Sequence, residues 1–567
     1  MLESALNEIL RRHEILRTTF SIAEGDALQI IAPSLDLNLP VVDLSDRSEI
    51  TREQEARRII NDEAQRPFDL VRGPLLRAQL IRLGEADHVL VLNLHHIVSD
   101  GWSMAVLYRE LSVIYKALVD AQSFLLPELR VQYADYAVWQ RDWLQGEILD
   151  RQLSYWKNQL EGIPPVLNLF ADRPRPAVQS HRGARASISL SKELLDKLNA
   201  LSRKENVTLF MTLLAGFQIL LRRYTGQDDV VLGSPIAGRN RHELENLIGF
   251  FVNTLVLRTN LAANPTFVEL LARVRETALG AYAHQDLPFE KLVEEIQPKR
   301  NPSFSPLFQV MFVLQYTPDA PLNLEGLDTN PIDVEGESAK FDLTLSIREL
   351  TEGLRASLSY NTDLFDGSTI DRMLRHYQIL LEEIVRYPGK RILEIPLMTD
   401  DERRQLLVEW NETRREYPRD KCIQELFEEQ VKQRPEAIAA VFEDQQLSYR
   451  ELNERANRLG RYLQKAGVEP ESLVGICVER SLDMMIGIVA VLKAGAAYVP
   501  FDPSYPRERL EFMLEDTRTS VLLTQQRLRG SVTNYDGKIL CLDTDWGEIA
   551  KESDDNLERH TTASRCQ

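Results

Sequence analysis

Leu94-His95-His96-Ile97-Val98-Ser99-Asp100-Gly101-Trp102-Ser103 is the stretch on which the reading of this chain turns. Before it, Asp87-His88-Val89-Leu90-Val91-Leu92-Asn93-Leu94 is apolar and β-branched enough to predict a buried strand. After it, Met104, Leu107, Leu111, Ile114 and Leu118 recur at helical spacing and predict a helix over 102–119. Two histidines, a carboxylate and a glycine therefore occupy a strand-to-loop-to-helix turn. Such a turn holds side chains at the end of a rigid element, where sites are built.

The residue types in this turn suit acyl transfer. A neutral imidazole accepts a proton near pH 7, its reference pKa being about 6.5. Asp100 is placed to cap the following helix, which sets the amides around Gly101 at the positive end of the helix dipole, facing any oxyanion that forms nearby. Neighbours in an extended chain point to opposite faces, so at most one of His95 and His96 is expected to face a given cavity while the other supports the loop. The plainer alternative, that both histidines are core residues and Asp100 is only a cap, stays open at this level.

With 567 residues the chain has room for three to four domains, at about 150 residues each. The hydrophobic and charged fractions, 44% and 27%, belong to ordinary globular protein, and a formal net charge of −19 argues against nucleic acid or a membrane surface as the main partner. No apolar run reaches spanning length. The four cysteines (Cys422, Cys477, Cys541, Cys566) are too scattered for a disulfide framework or a zinc site, so a cytoplasmic setting and no metal are expected.

Along the chain, Leu2, Ala5, Leu6, Ile9 and Leu10 form one helical stripe before Arg12-His13-Glu14-Ile15-Leu16-Arg17-Thr18-Thr19-Phe20, where a strand is expected. Further helices are predicted over 50–65, 133–141, 207–223, much of 261–295 and 367–387. Strands are predicted at 186–190, 229–234, 307–315, 341–348 and within 248–258. Pro164, Pro165, Pro174 and Pro176 mark 161–185 as a connection between two lobes, 1–165 and 166–389. Residues 390–420, charged and poor in packing side chains, are expected to link these lobes to a second domain, 421–567. There strands alternate with helices, and some parallel sheet follows. From about 550 onward the sequence is polar and patternless.

These residues carry a resemblance. In order, 12–20, 94–103, 133–141, 248–258, 284–293 and the pair Arg300-Asn301-Pro302 with Pro306-Leu307-Phe308 resemble the second to seventh motifs of the condensation domain of nonribosomal peptide synthetases. Leu447-Ser448-Tyr449-Arg450-Glu451-Leu452 and Leu492-Lys493-Ala494-Gly495-Ala496-Ala497-Tyr498-Val499-Pro500 resemble the first two motifs of an adenylation, or AMP-binding, domain. The closing His560-Thr561-Thr562-Ala563-Ser564-Arg565-Cys566-Gln567 fits no family pattern. No Gly-rich phosphate loop follows the second adenylation motif, so no ATP or amino-acid activation is expected.

The resemblance implies an α/β fold of two chloramphenicol acetyltransferase-like lobes in a V, followed by the start of an adenylate-forming subdomain. It implies amide formation between a donor thioester and an acceptor α-amine. Both substrates arrive on the phosphopantetheine arms of upstream and downstream carrier proteins, within an assembly of other synthetase modules. His96 matches the central histidine, as base or positioning group, with His95 supporting. Asp100 matches an aspartate paired with an arginine of the second lobe, for which Arg239 is the best candidate and Arg241 the rival. Arg12 and Arg17 match structural arginines; Trp156, Asn253 and His284 match family positions that packing explains equally well. Ile248-Gly249-Phe250-Phe251-Val252-Asn253-Thr254-Leu255-Val256 resembles domains that join two L-configured residues. The family's first motif and first strand have no counterpart before Arg12. That absence leaves an inactive or carrier-docking remnant as the alternative; an epimerisation domain, which also keeps the two histidines, and a free-standing acyltransferase using soluble thioesters are the others.

Overall fold

A computed structural model describes residues 1–558 except 24, 125, 299–300, 316–321, 333–337 and 533–534. Arg300, Cys566 and the closing octapeptide lie outside the described residues. The chain divides into two compact units, Met1–Glu409 and Trp410–Gln567.

The first unit begins with helix α1 (Leu2–Arg12), whose predicted stripe buries Ala5, Leu6, Ile9 and Leu10. A hairpin, β1 (Thr18–Ala23) and β2 (Asp26–Ile31), follows. Next come β3 (Val41–Asp43), α2 (Glu49–Gln65), β4 (Leu76–Arg82) and β5 (His88–Leu94). They form a three-stranded sheet in the order β3-β4-β5. Strand β5 departs from expectation: His88 is exposed and Val89 to Leu94 are only half-buried, because it is an edge strand, bonded among the described residues to β4 alone. Helix α3 (Gly101–Val119) follows the predicted span and buries Leu107, Leu111 and Ile114 against α1, with Met104 and Leu118 half-buried at the margin. Helices α4 (Tyr133–Trp143) and α5 (Gly146–Leu160) close this lobe.

The second lobe is built on a six-stranded sheet. In chain order it comprises β6 (Gly183–Ser191), α6 (Lys192–Lys204), α7 (Leu209–Thr225), β7 (Asp229–Ile236), β8 (Asn253–Asn260), α8 (Phe267–Ala283), α9 (Phe289–Ile296), β9 (Val310–Gln315), β10 (Leu343–Leu350), β11 (Gly353–Asn361) and α10 (Gly367–Arg386). The strand order is β6-β11-β10-β9-β7-β8. Helix α7 is apolar on every side because it is the centre of the lobe: each residue from Met211 to Leu221 is buried. The strand expected within 248–258 begins only at Asn253; residues 248–252 are irregular, since side chains from other elements take their backbone hydrogen bonds.

The expected linker is partly ordered. Ile392 and Ile395 are buried in the lobe core, and α11 (Asp400–Leu407) opens with a Thr399/Glu402 capping box. Glu402 also takes a hydrogen bond from His376 Nε2 (3.0 Å), whose Nδ1 meets the Tyr224 hydroxyl at 2.8 Å.

The second unit contains α12 (Ile423–Gln433), a hairpin of β12 (Ile438–Phe442) and β13 (Gln445–Ser448), then α13 (Tyr449–Lys465), β14 (Leu473–Cys477), α14 (Leu482–Lys493), β15 (Ala497–Pro500), α15 (Arg507–Thr517), β16 (Val521–Thr524), β17 (Lys538–Cys541) and α16 (Trp546–Ile549). Its four-stranded sheet, β15-β14-β16-β17, is all parallel, as the strand–helix alternation requires. The patternless residues after 550 are held by polar contacts and by Leu557, half-buried against Gly460 of α13. Asn457 Nδ2 on α13 donates to the Asp554 carbonyl (2.6 Å), and Arg461 donates to that of Asp555 (2.8 Å). Among the described residues no helix is long and apolar enough to cross a membrane.

Candidate functional site

The site grows from the end of β5. A single 3₁₀ turn, His96–Val98, separates the strand from α3 and turns the two histidines apart. His95 is half-buried, with its ring edge-on to Phe68 at 5.6 Å, and Phe68 in turn lies under the Arg77 guanidinium at 3.7 Å. Its Nδ1 accepts the Ile97 amide proton (3.0 Å), so its own proton sits on Nε2. Burial, with the adjacent His96 as a lesser cause, lowers the His95 pKa and keeps the ring neutral.

His96 is exposed and holds the opposite tautomer. Its Nδ1 lies 2.7 Å from the Ser99 carbonyl. A carbonyl only accepts, so Nδ1 carries the proton and Nε2 keeps its lone pair. Among the described residues Nε2 has no hydrogen-bond partner. Phe250 stands beside the ring, edge-to-face at 5.0 Å and 83°.

Beneath the turn the polar groups are bonded to one another, Arg239 Nε alone among them being buried without a partner. Asp100 caps α3: Oδ1 accepts from the Ser103 amide and lies within 2.8 Å of the Ser103 hydroxyl. Arg239 Nη2 donates to Oδ1 at 3.1 Å and to Ser103 Oγ at 2.9 Å, while Oδ2 accepts from the Phe251 amide at 3.0 Å. The pair is buried, the Arg239 and Asp100 side chains being 1% and 3% exposed. Nη1 of Arg239 donates to the carbonyls of Leu244 (2.6 Å) and Leu247 (2.7 Å). Burial lowers the Arg239 pKa and Asp100 opposes that shift, as a desolvated ion pair requires. Of the two candidate arginines the structure pairs Arg239; Arg241 instead lies over the Trp139 ring at 4.3 Å. Gly238 makes the turn into Arg239 possible: its φ is +65°, and a Cβ there would lie 2.1 Å from the Phe251 carbonyl oxygen.

The other predicted residues fall around this centre. Gly101 opens α3 and is exposed. Arg12 donates to Glu110 Oε1 (3.2 Å) and to the Pro127 carbonyl, and Arg17 bonds the Ala32 carbonyl, so both tie α1 and its following turn to the lobe. Trp156 is buried and its indole donates to the His284 carbonyl at 2.9 Å. His284 stacks on Tyr155 with centroids 4.0 Å apart. Asn253 pins the segment after α8, donating to the carbonyls of Gln285 and Leu287 and accepting from the Phe289 amide. None of Arg12, Arg17, Trp156 or Asn253 is hydrogen-bonded to His96.

The sequence reading gave no role to Ser103, Tyr133, Phe250, Phe251 or the buried pair of His13 with Glu110 (2.8 Å). Only Ser103 carried a local signal, as a hydroxyl three residues after a capping aspartate.

Comparison with known proteins gives the family. The family described as "Condensation domain" matches residues 1–407, and that described as "AMP-binding enzyme" matches residues 427–564. Linear gramicidin synthase subunits C and B of Brevibacillus parabrevis are each 52% identical, over 97% and 99% of this chain. The chain spans only 7% and 11% of their lengths. Among solved structures, a four-domain nonribosomal peptide synthetase bound to AMP and glycine superposes with a TM-score of 0.82 at 26% identity, over 95% of this chain and 41% of that one. The X-domain from teicoplanin biosynthesis superposes with a TM-score of 0.64 at 30% identity, over 70% of this chain and 89% of that one. This chain therefore belongs to the condensation domain family, and a region of the AMP-binding enzyme family follows that domain.

Proposed function

We propose that this chain forms amide bonds in nonribosomal peptide synthesis, joining a carrier-bound aminoacyl or peptidyl thioester to the α-amine of a carrier-bound aminoacyl acceptor. The observation that carries the reading is the unpartnered Nε2 of His96, on an exposed ring held through Nδ1 above the buried Asp100–Arg239 pair. In the reaction a C–N bond forms at the thioester carbonyl and the C–S bond breaks. The proton lost by the amine passes to His96 Nε2, and the departing thiolate takes up a proton to leave as thiol. Because a thioester is already activated, proton handling and positioning are the main demands on the protein. The Nδ1–H bond to the Ser99 carbonyl holds the ring in the tautomer this step needs. Asp100 and Arg239 act through the loop, as positioning residues. Partner carriers, their phosphopantetheine arms and an L-configured donor belong to this proposal through the family resemblance.

The test is amide formation by the full chain with two loaded carrier proteins, compared with the same aminoacyl groups on soluble thioesters. The reading predicts dipeptidyl product with the carriers and little with soluble thioesters. Absence of product from a folded chain across several substrate pairs would overturn it, as would exchange of the donor α-proton without amide formation, the mark of an epimerase.

A further inference from the structure

Residues 248–251 are an irregular segment beside the site, tethered along its whole length. Four consecutive residues give backbone groups to side chains from four other positions. The Ile248 amide donates to His13 Nδ1 (3.3 Å), the Gly249 amide to Ser103 Oγ (3.0 Å) and the Phe251 amide to Asp100 Oδ2 (3.0 Å). The Phe250 carbonyl accepts from the Tyr133 hydroxyl at 2.9 Å. Burial pushes the Tyr133 pKa up to about 12, so that hydroxyl stays a donor across the physiological range. The segment is also pressed against its surroundings: a Cβ at Gly249 would lie 2.3 Å from the Tyr133 ring.

Within this fixed segment the side chains divide sharply. Ile248 and Phe251 are 1% and 4% exposed, whereas Phe250 is 37% exposed and turns its ring to His96. A large apolar side chain held half in water, on a backbone that has no freedom to withdraw it, gains little from burial. Its position has a consequence for whatever approaches His96. The imidazole is itself held by Ser99 and the two rings are in edge-to-face contact, so a group that reaches His96 comes up beside the Phe250 ring.

We infer that Phe250 is a specificity-determining wall of the reaction centre, limiting the bulk at the α-carbon of the aminoacyl groups that reach His96 Nε2. The inference rests on the amide-forming reading above. Either substrate brings an α-substituent to this point, so the shared chemistry is a branched or aromatic α-side chain on an aminoacyl group. A rigid apolar wall discriminates by size, and one methylene group in such a site changes relative turnover by about 10–200-fold.

The experiment measures kcat/KM ratios for the full chain and Phe250→Ala, with carrier-bound substrates in two arms. One arm varies the donor from alanyl to valyl to phenylalanyl at a constant acceptor; the other varies the acceptor at a constant donor. The wall predicts that Phe250→Ala raises the bulky-to-alanyl ratio about tenfold or more in one arm, whatever the absolute rate, and that arm identifies the substrate the ring screens. Phe250→Leu, which keeps an apolar side chain should the alanine variant unfold, shifts the same ratio by less. A merely structural residue changes all rates together and leaves both ratios alone. Unchanged ratios in both arms, in a chain that makes amide, would overturn the wall alone; no amide from the folded wild type would remove the underlying reading as well. The ring contact is checked apart from activity by the proton NMR shift of His96 Hε1, which moves when the Phe250 ring is removed.

Discussion

The two sides of the turn at 94–103 are built on opposite rules. On the buried side, Asp100, Ser103 and Arg239 share hydrogen bonds with one another and with the Gly249 and Phe251 amides. On the open side, His96 spends one ring nitrogen on the Ser99 carbonyl and leaves the other bare. His95, one residue away, shows the same contrast in reverse, since its proton and lone pair are exchanged between the ring nitrogens and its ring rests on Phe68. The polar groups that set the loop's shape are buried and bonded to one another, with only Arg239 Nε left over; His96 Nε2 is unpartnered on an exposed ring. Buried polar groups are costly when unpaired, whereas the free nitrogen of His96 is on an exposed ring that water reaches.

This contrast can be broken most severely from below. Asp100→Ala leaves the Arg239 guanidinium buried without its counter-ion, and a loss of about 3–5 kcal/mol in unfolding free energy of the first unit is expected by urea denaturation. A loss under about 1 kcal/mol would mean that Arg239 is satisfied by the Leu244 and Leu247 carbonyls alone. Ser103→Ala is milder: it strips a partner from Arg239 Nη2 and from the Gly249 amide, at a cost of about 1–3 kcal/mol. Tyr133→Phe removes one hydrogen bond to the Phe250 carbonyl, with about 0.5–1.5 kcal/mol expected. Should Tyr133→Phe exceed Ser103→Ala, the segment carrying Phe250 hangs on Tyr133 rather than on the buried anchor.

The smallest effect expected is one of pH. Burial lowers the pKa values of His95 and His376 in the folded state. Between the folded and unfolded values the unfolded chain binds more protons, so stability rises with pH. It is therefore fully present above about pH 6.5, the unfolded value, and is lost progressively as pH falls through the folded values. A melting temperature for the first unit that is flat above pH 7 and declines toward pH 5, with the decline reduced in His376→Phe, is the expected record. An unchanged slope in that variant would assign the decline to other groups.

Local signals in the sequence reached as far as local causes do. The helical stripe of α1, the long apolar run of α7 and the aspartate heading α3 were legible because each element is decided within a few residues. Strands β4 and β11 were not foreseen, although each forms a hairpin with its neighbour in sequence, β5 or β10, besides pairing with the more distant β3 or β6. The 248–252 stretch read as strand because it is apolar. It is irregular because His13, Ser103 and Asp100, 235 to 146 residues away, take its amides. Arg239 was separable from Arg241 only once Gly238 was seen to turn the first inward and Trp139 to hold the second. Phe250 had no signal at all: its meaning is a spatial relation to His96 across 154 positions of sequence, the difference between 250 and 96.

The contrast between the two sides is tested most directly by measuring amide formation and melting temperature together for His96→Ala. Loss of a proton acceptor that contributes 10²–10⁴-fold in rate is expected to lower amide formation by at least about a hundredfold. Because the removed ring is exposed, the melting temperature is expected to stay within about 2 °C of wild type. A variant that keeps its rate, or that loses it only together with its melting temperature, would contradict the assignment of chemistry to the open side of the turn.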